Sequence, residues 1–257
     1  MGPLRGGREA TEDGIGPCSD RLLITCEHGG RRVPPRYRAL FAGHEDLLRT
    51  HRGWDFGALL LAREMARAMD APLVASTTTR LLVDLNRSLG HPRLYSEITR
   101  GLPEPERQAI LARYYLPHRE RVDALVRGAL AERRRAVHVA SHSFTPVLHG
   151  EVRQADVGLL YHPERPGEVA LARRWLAALA RLRPDLRLRR NYPYHGRSDA
   201  LSSVLRRRHP DAEYVGLEIE VNQMHVLRGG DHWAALRRDL VASLQQAVDA
   251  QVHASVA

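Results

Sequence analysis

The sequence predicts an α/β fold in which a mixed, mainly parallel β-sheet is covered by helices on both faces. Short apolar runs typical of buried strands alternate along the chain with longer segments whose apolar residues recur at helical spacing. Helices of this length allow crossovers between parallel strands, and such crossovers cover both faces of a sheet. The 257 residues, 43% of them hydrophobic, are enough for one large core.

Strands are predicted where a short apolar run ends in a polar cluster or a glycine turn. They fall at residues 21–26, 73–76, 81–83, 136–140, 157–161, 186–188 and 214–221. Helices are predicted where apolar residues recur every three to four positions. They fall at residues 54–70, 103–135, 167–181 and 231–252.

Two prolines limit these elements. Pro146 cannot extend a central ladder, so the strand that begins at Ala136 should end close to it, with His142 at its tip. Pro117 lacks the N–H that an interior helical turn requires. We therefore expect a kink or break in the helix at 103–135 that presents His118 and Arg119.

Residues 1–19 are rich in glycine and charge and lack the apolar core of a secretion signal. They predict a loose leader before a single domain at 20–257, in the cytoplasm. No apolar run approaches the ~18 residues needed to span a bilayer, which argues against a membrane protein. The two cysteines, Cys18 and Cys26, are too few for a disulfide framework and lack the spacing of a zinc–thiolate site.

The formal net charge of +9 raises the question of nucleic-acid binding. All 39 basic residues are arginines, and they are spread along the whole chain rather than gathered into one tract. A biased composition explains this distribution at least as well as a nucleic-acid footprint. Nucleic-acid binding is therefore the less favoured interpretation, and the sequence carries no signal for an oligomeric state.

Three residues at expected strand tips or helix starts could bind a metal: His28, Asp55 and His142. In α/β folds, ligands bind in the crevice outside the carboxyl ends of the strands. Two imidazoles and one carboxylate would leave a fourth position of a catalytic zinc open for water or substrate. The alternative is that each is an ordinary hydrogen-bonded residue, since the chain has 14 histidines.

Glu218 and Glu220 lie in the segment GLEIEVN, where the period of two places both carboxylates on one face of a strand. Such a face often points to water. In a sheet covered on both sides, however, a glutamate near the carboxyl end would point into the crevice and could act as a general base. Glu220 is nearer the strand end and is the preferred candidate.

Five further residues could bind substrate. Arg80, Asn86 and Arg87 offer donors for an anion, and an arginine also stabilises the negative oxygen that develops when water adds to an amide. Arg153 and Tyr194 lie beside turns that suit a binding loop. Each of these could equally be an ordinary surface residue.

Six ordered motifs resemble those of the N-formylglutamate amidohydrolase family, and they extend from about residue 21 to 225. The motifs are CEH at 26–28, HRGWDFGA at 51–58, RLLVDLNR at 80–87, HSFTP at 142–146, NYPY at 191–194 and EIE at 218–220. The resemblance implies a three-layer α/β/α sandwich of the phosphorylase/hydrolase type, related to zinc carboxypeptidases and aspartoacylases. It further implies a hydrolase with one zinc ion that splits a linear amide, releasing formate from N-formyl-L-glutamate during histidine breakdown.

The resemblance also implies a set of metal ligands. His28 and His142 match the two histidine ligands of the relatives. Asp55 stands where the related enzymes have a glutamate, but its distance from His28 differs from their short HxxE spacing. Glu27 is the rival acidic ligand.

Substrate and catalytic roles follow in the same way. Arg80 with Asn86 and Arg87 resembles the arginine and the Asn-Arg pair that bind the substrate carboxylate and carbonyl in aspartoacylases. Glu220, followed by Val221, resembles their general base. In this hypothesis Ser143, beside His142, has a structural or supporting role rather than that of a nucleophile.

The sequence thus predicts a Zn²⁺-dependent amidohydrolase whose partner is a small N-acyl amino acid, N-formyl-L-glutamate first. The first alternative is a deacylase or carboxypeptidase-like hydrolase that acts on another N-acyl or peptidyl substrate. The second is a non-catalytic, basic nucleic-acid-binding protein, which would show steeply salt-dependent affinity.

Overall fold

The computed structural model describes residues 20–254, with side chains through residue 250. The predicted leader at 1–19 lies outside the described residues, as does Cys18. The boundary between leader and domain therefore stays a prediction.

The centre of the molecule is a six-stranded sheet with the order β2-β1-β3-β8-β6-β7. Its first four strands are parallel, β6 is antiparallel to β8, and β7 is parallel to β6. The bounds are β1 Asp20–Cys26, β2 Leu73–Ala75, β3 Arg135–Phe144, β6 Val157–Leu160, β7 Leu188–Arg190 and β8 Tyr214–Asn222; β4 (Val147–Leu148) and β5 (Glu151–Val152) form a separate hairpin. The mixed, mainly parallel sheet is confirmed.

Helices cover both faces of this sheet and complete the predicted three-layer α/β/α sandwich. Their bounds are α1 Glu45–Leu48, α2 Ala58–Ala68, α3 Glu104–Ile110, α4 Leu116–Ala131, α5 Pro166–Leu182, α6 Leu201–Arg208, α7 Gln223–Arg228 and α8 Gly230–Ala254, with a 3₁₀ helix at Pro35–Phe41. Leu61, Trp175 and Leu240 show that α2, α5 and α8 pack in the larger core on one face. Val122 and Leu205 show that α4 and α6 pack on the other face.

The run at 81–83 was predicted as a strand, and this prediction is wrong. These residues are not in a strand, yet Leu81, Leu82 and Val83 are buried in a separate apolar cluster that includes Tyr37 of the 3₁₀ helix and Ile110 of α3. Hydroxyl groups replace a strand partner there, since Thr99 Oγ1 donates to the Leu82 carbonyl at 3.0 Å. Burial alone therefore explains the apolar run.

Pro117 does not break its helix. α3, a π-helical stretch at Leu111–Tyr115 and α4 follow one another without interruption. The widened π-helical turns lie just before Pro117. Proline has no N–H to donate to the carbonyl one turn earlier, and the wider turns accommodate this missing hydrogen bond. His118 is buried rather than presented to solvent, and Arg119 donates to the Leu85 carbonyl at 3.0 Å.

No helix in the described part of the chain is both long and apolar enough to cross a bilayer.

Gly158 of β6 should not tolerate a side chain. A Cβ at this position would lie 1.8 Å from the Tyr192 carbonyl oxygen, whereas a Cβ at Gly128 of α4 would meet nothing within 4 Å. We expect Gly158→Ala to lower the free energy of unfolding by about 3 kcal/mol, the upper end of ordinary overpacking costs. Gly128→Ala should raise it by roughly 0.5–1 kcal/mol, because alanine restricts the unfolded chain and favours the helix. Urea denaturation measures both, and equal effects at the two sites would contradict the described packing.

Candidate metal centre and active-site cavity

The predicted site residues meet at the carboxyl ends of β1, β3 and β8. In β8, Leu217, Ile219 and Val221 pack into the larger core, so Glu218 and Glu220 point to the opposite face, as the period of two predicts. Register pairs His142 of β3 with Glu220 of β8. Both residues line a cavity of about 430 Å³ together with His28 and Asp55.

His28, Asp55 and His142 form a buried cluster whose ligand atoms lie within 4.8 Å of one another. Asp55 Oδ2 lies 3.3 Å from His28 Nδ1 and 2.9 Å from His142 Nδ1. Two imidazole nitrogens and a carboxylate oxygen are a donor set that suits zinc and related divalent cations. The donor set therefore fits a metal ion.

Two further carboxylates support this cluster from outside. Asp84 Oδ1 accepts a hydrogen bond from His28 Nε2 at 2.7 Å. Glu27 Oε2 lies 3.2 Å from His142 Nε2 without hydrogen-bond geometry, and its other oxygen is 3.5 Å from His118 Nε2. Metal-binding histidines usually have their second nitrogen held by a hydrogen-bond acceptor, as Asp84 holds His28 Nε2, and the first nitrogen is then oriented towards the ion.

The loop that carries Asp55 is fixed to the neighbouring strands. The Asp55 N–H donates to the His28 carbonyl at 2.9 Å, and Gly57, with a φ of 76°, turns the chain into α2. Ser143 Oγ donates to the Phe56 carbonyl at 2.7 Å, so this hydroxyl holds the loop against β3. This contact agrees with a supporting role for Ser143, which stays a prediction.

The cluster holds complementary charges. Burial disfavours the charged form of Asp55, but His28, His142 and Arg80 lower the pKa of this carboxyl below its ordinary range. Burial likewise opposes a charged His142, yet contacts with Asp55 and Glu27 raise its pKa well above the usual value. Without a cation, His142 therefore supplies positive charge that offsets the buried acids.

Glu220 differs from these acids because the effect of burial on its pKa exceeds that of the nearby positive charges. It is 5% exposed, and its Oε2 has no hydrogen-bond partner among the described residues. Burial raises its pKa to about 8; His142 acts in the opposite direction, and Asp55 and Glu218 act in the same direction. Glu218, by contrast, has a hydrogen-bond partner, since its Oε1 accepts a hydrogen bond from Ser202 Oγ.

Arg80 lies on the cavity wall with its guanidinium between two acids. Nη2 donates to Asp84 Oδ2 at 2.7 Å, and Nη1 lies 3.4 Å from Asp55 Oδ1. A guanidinium has five N–H donors, so donors remain for a ligand in the cavity. The two acids fix its position.

Asn86 and Arg87 also line the cavity, and the protein holds both in place. The Asn86 side-chain oxygen accepts from the Leu201 N–H at 2.7 Å, and its amide nitrogen lies 3.4 Å from His142 Nε2. Arg87 donates to the Asp199 carbonyl. Both residues therefore connect the polar cluster that begins at Asp84 to the segment that precedes α6.

Tyr194 and Arg153 lie at the outer end of the site. Tyr194 lines the cavity, whereas Arg153 is not among the cavity residues. The Arg153 guanidinium lies 5.2 Å from the Tyr194 ring centroid and 5.7 Å from that of Phe144. Arg153 therefore supports two wall residues rather than facing the cavity itself.

Sequence reasoning missed the roles of Asp84 and Asp199. Asp84 was not among the candidate site residues, yet it makes short contacts with His28 and Arg80. Asp199 lines the cavity and accepts from the Ser88 N–H at 2.9 Å, and no motif pointed to it. The polar cluster after residue 83 was a usable signal for Asp84, but its partner lies 56 positions earlier in the chain.

Asp84→Asn should weaken metal binding by about 10–100-fold, the usual effect of losing an outer-shell partner. Asparagine cannot provide the negative charge that orients and polarises His28. Asp156→Asn is a matched control, because Asp156 is also buried and accepts from a histidine, His225 Nε2, at 2.9 Å outside the cavity. A zinc competition titration measures both, and equal affinities in the Asp84 variant and the wild type would contradict the supporting role.

The raised pKa of Glu220 predicts a pH-dependent stability difference in the metal-free protein. The ordinary value is 4.5 and the folded value is about 8, so between these values the folded state holds a proton that the unfolded state has released. This stabilisation is complete below about pH 4.5 and is lost as pH rises through about 8. Relative to Glu220→Gln, the wild type should therefore lose stability on the order of a few kcal/mol across this interval.

Urea denaturation from about pH 5 to 9 tests this pH dependence. Glu120→Gln, on the exposed side of α4, is the control and should track the wild type at every pH. Parallel stability curves for the Glu220 variant and the wild type would contradict the raised pKa.

Comparison with known proteins shows what the chain is similar to. A model of the N-formylglutamate amidohydrolase family matches residues 20–227. No curated protein matches the sequence. Gene product Atu2144 from Agrobacterium tumefaciens, a solved structure, is 29% identical with a TM-score of 0.77, over 91% of this chain and 92% of that chain.

A second solved structure, N-formylglutamate amidohydrolase from Ralstonia eutropha JMP134, is 18% identical with a TM-score of 0.67. The match covers 91% of this chain and 95% of that chain and supports the fold alone. The family match, which covers most of the chain, implies a hydrolase that acts on an amide of a small molecule. The chain belongs to the N-formylglutamate amidohydrolase family.

Proposed function

We propose that the chain is a zinc-dependent amidohydrolase that cleaves N-formyl-L-glutamate to L-glutamate and formate. The observation that carries this proposal is the buried cluster of His28, Asp55 and His142, which opens into the same cavity as Glu220 and Arg80. These three residues would hold one Zn²⁺. When bound, the ion supplies a Lewis acid that polarises the acyl carbonyl and lowers the pKa of water.

Glu220 acts as the general base in this proposal. Its unpartnered Oε2 is available to accept the proton of the attacking water and to return it to the leaving nitrogen. Burial brings its pKa towards neutrality, which allows the carboxyl to hold and release a proton in one cycle. Arg80 stabilises the negative oxygen that develops on the carbonyl, because Asp55 and Asp84 already fix its orientation.

Asn86 and Arg87 bind the acidic group of the substrate, and Tyr194 contributes to the wall near the cavity mouth. Their contacts with Leu201 and Asp199 hold them in place before substrate arrives, which lowers the entropic cost of positioning it. Arg153 supports Tyr194 through the face of its ring. We also propose a cytoplasmic location and a role in histidine breakdown.

Formate release from N-formyl-L-glutamate tests this function. The metal-free protein should be inactive, and added Zn²⁺ should restore turnover. Full activity of the metal-free protein would overturn the zinc dependence. Absence of formate release from the zinc-loaded protein would overturn the substrate.

The size of the cavity favours a second candidate substrate class. A volume of about 430 Å³ falls in the range of sites that enclose drug-sized ligands, which are larger than a formyl amino acid. A deacylase that acts on a bulkier N-acyl or peptidyl substrate would use the same residues. A panel of N-formyl, N-acetyl and N-succinyl amino acids separates the two candidates by their kcat/KM values.

A further inference from the structure

A second cavity, of about 440 Å³, lies at the open edge of the sheet. It is bounded by β2, by Leu59 and Arg63 of α2, and by the helical segment from Arg113 to Arg121. It shares no lining residue with the cavity that contains the candidate metal centre. Any ligand bound here would therefore be separate from the substrate.

The walls of this second cavity carry positive charge and no acid. Arg63, Arg113 and Arg121 line it, and no aspartate or glutamate does. By contrast, the first cavity contains both arginines and acids, and Arg52 and Arg80 there are paired with carboxylates. None of the three arginines has a carboxylate partner among the described residues. Their charge is therefore available to an anion.

The three guanidinium groups approach the cavity from two sides. Arg113, Pro117 and Arg121 are spaced four residues apart along the continuous α3–α4 helix, so they share one face of it. Arg63 lies on α2, which covers the other face of the sheet. Donors from two helices can contact two anionic groups of one ligand, which a single surface arginine cannot do.

The edge of β2 adds backbone donors and an apolar floor. β2 pairs only with β1, through bonds made by Pro72 and Ser76, so the N–H groups of Leu73 and Ala75 point away from β1. No described residue accepts a hydrogen bond from these two groups. Leu59, Val74 and Leu85 supply apolar surface for a carbon skeleton.

We propose that this cavity binds a small organic anion that carries two or more carboxylate or phosphate groups. The guanidinium fork pairs with either group, the edge N–H groups provide further donors, and the apolar floor contacts the carbon chain between them. The inference rests on the second cavity alone and does not depend on the proposed hydrolase activity.

Calorimetric titration of the zinc-loaded full chain at low ionic strength tests the site. The probes are propane-1,2,3-tricarboxylate for the carboxylate class and the bisphosphate ester of propane-1,3-diol for the phosphate class. The double variant Arg113→Gln/Arg121→Gln should bind the preferred probe at least about tenfold more weakly than the wild type, because it loses two charge-assisted contacts. Its rate of amide hydrolysis should equal that of the wild type.

The control is Arg67→Gln/Arg173→Gln, which removes the same net charge from exposed positions of α2 and α5 outside the cavity. This variant should bind the probe as the wild type does. If the wild type binds neither probe, or if the two double variants bind equally, the proposed site is wrong. Unchanged binding in the Arg113/Arg121 variant would show that the anion binds elsewhere, and it would also overturn the proposed site.

Discussion

Replacing Glu220 with glutamine should slow amide hydrolysis by about 10²–10⁴-fold, the usual contribution of a general base. Glutamine keeps the shape of the side chain but cannot accept the proton of the attacking water. Because glutamine needs no charge, the buried position should accept it without loss of stability. The variant should bind zinc as the wild type does. A low rate at full metal content would therefore show that proton transfer is lost and that metal binding is not.

Glu218→Gln is the matched control for this variant. Glu218 lines the same cavity and lies on the same face of β8, but its carboxylate accepts a hydrogen bond from Ser202. Its replacement should therefore have a much smaller effect on kcat than the Glu220 replacement. If Glu218→Gln abolishes turnover and Glu220→Gln does not, the general base is Glu218. The assignment of Glu220, which rests on its lack of a hydrogen-bond partner, would then be wrong.

The pairing of Glu218 and Glu220 on one face was predictable, because a strand alternates its side chains whatever its neighbours are. The end of β3 was also predictable, since Pro146 prevents the ladder from continuing beyond Phe144. These inferences depend on local geometry alone, and the structure confirms them. His142 and Glu220 lie side by side because β3 and β8 are neighbours in the sheet. This strand order is not contained in any local sequence pattern.

The antiparallel direction of β6 shows the same limit. Its four residues are all buried, so the strand has no alternation from which orientation could be inferred. The run at 81–83 was mistaken for a strand because burial in a loop cluster and burial in a sheet require the same apolar residues. The contact between His28 and Asp84 joins two loops that only the folded chain brings together.

His142→Ala should remove both metal binding and hydrolysis. His142 is 3% exposed, faces Asp55 Oδ2 at 2.9 Å, and belongs to the three-residue cluster that fits a divalent cation. Loss of an outer-shell partner already weakens metal binding by about 10–100-fold, so loss of a ligand should weaken it by more than ~100-fold. Zinc content after dialysis and a competition titration measure this directly.

The same variant also tests the fold. Alanine leaves Glu27 and Asp55 without an imidazole that, in the metal-free protein, offsets their charge, so stability should fall together with metal affinity. His232→Ala is the control, because His232 contacts another histidine, His225, at 2.8 Å outside the cavity. It should keep zinc and activity. A folded His142 variant that retains one zinc per chain would show that the ion lies elsewhere, and full hydrolysis by that variant would exclude His142 from the reaction.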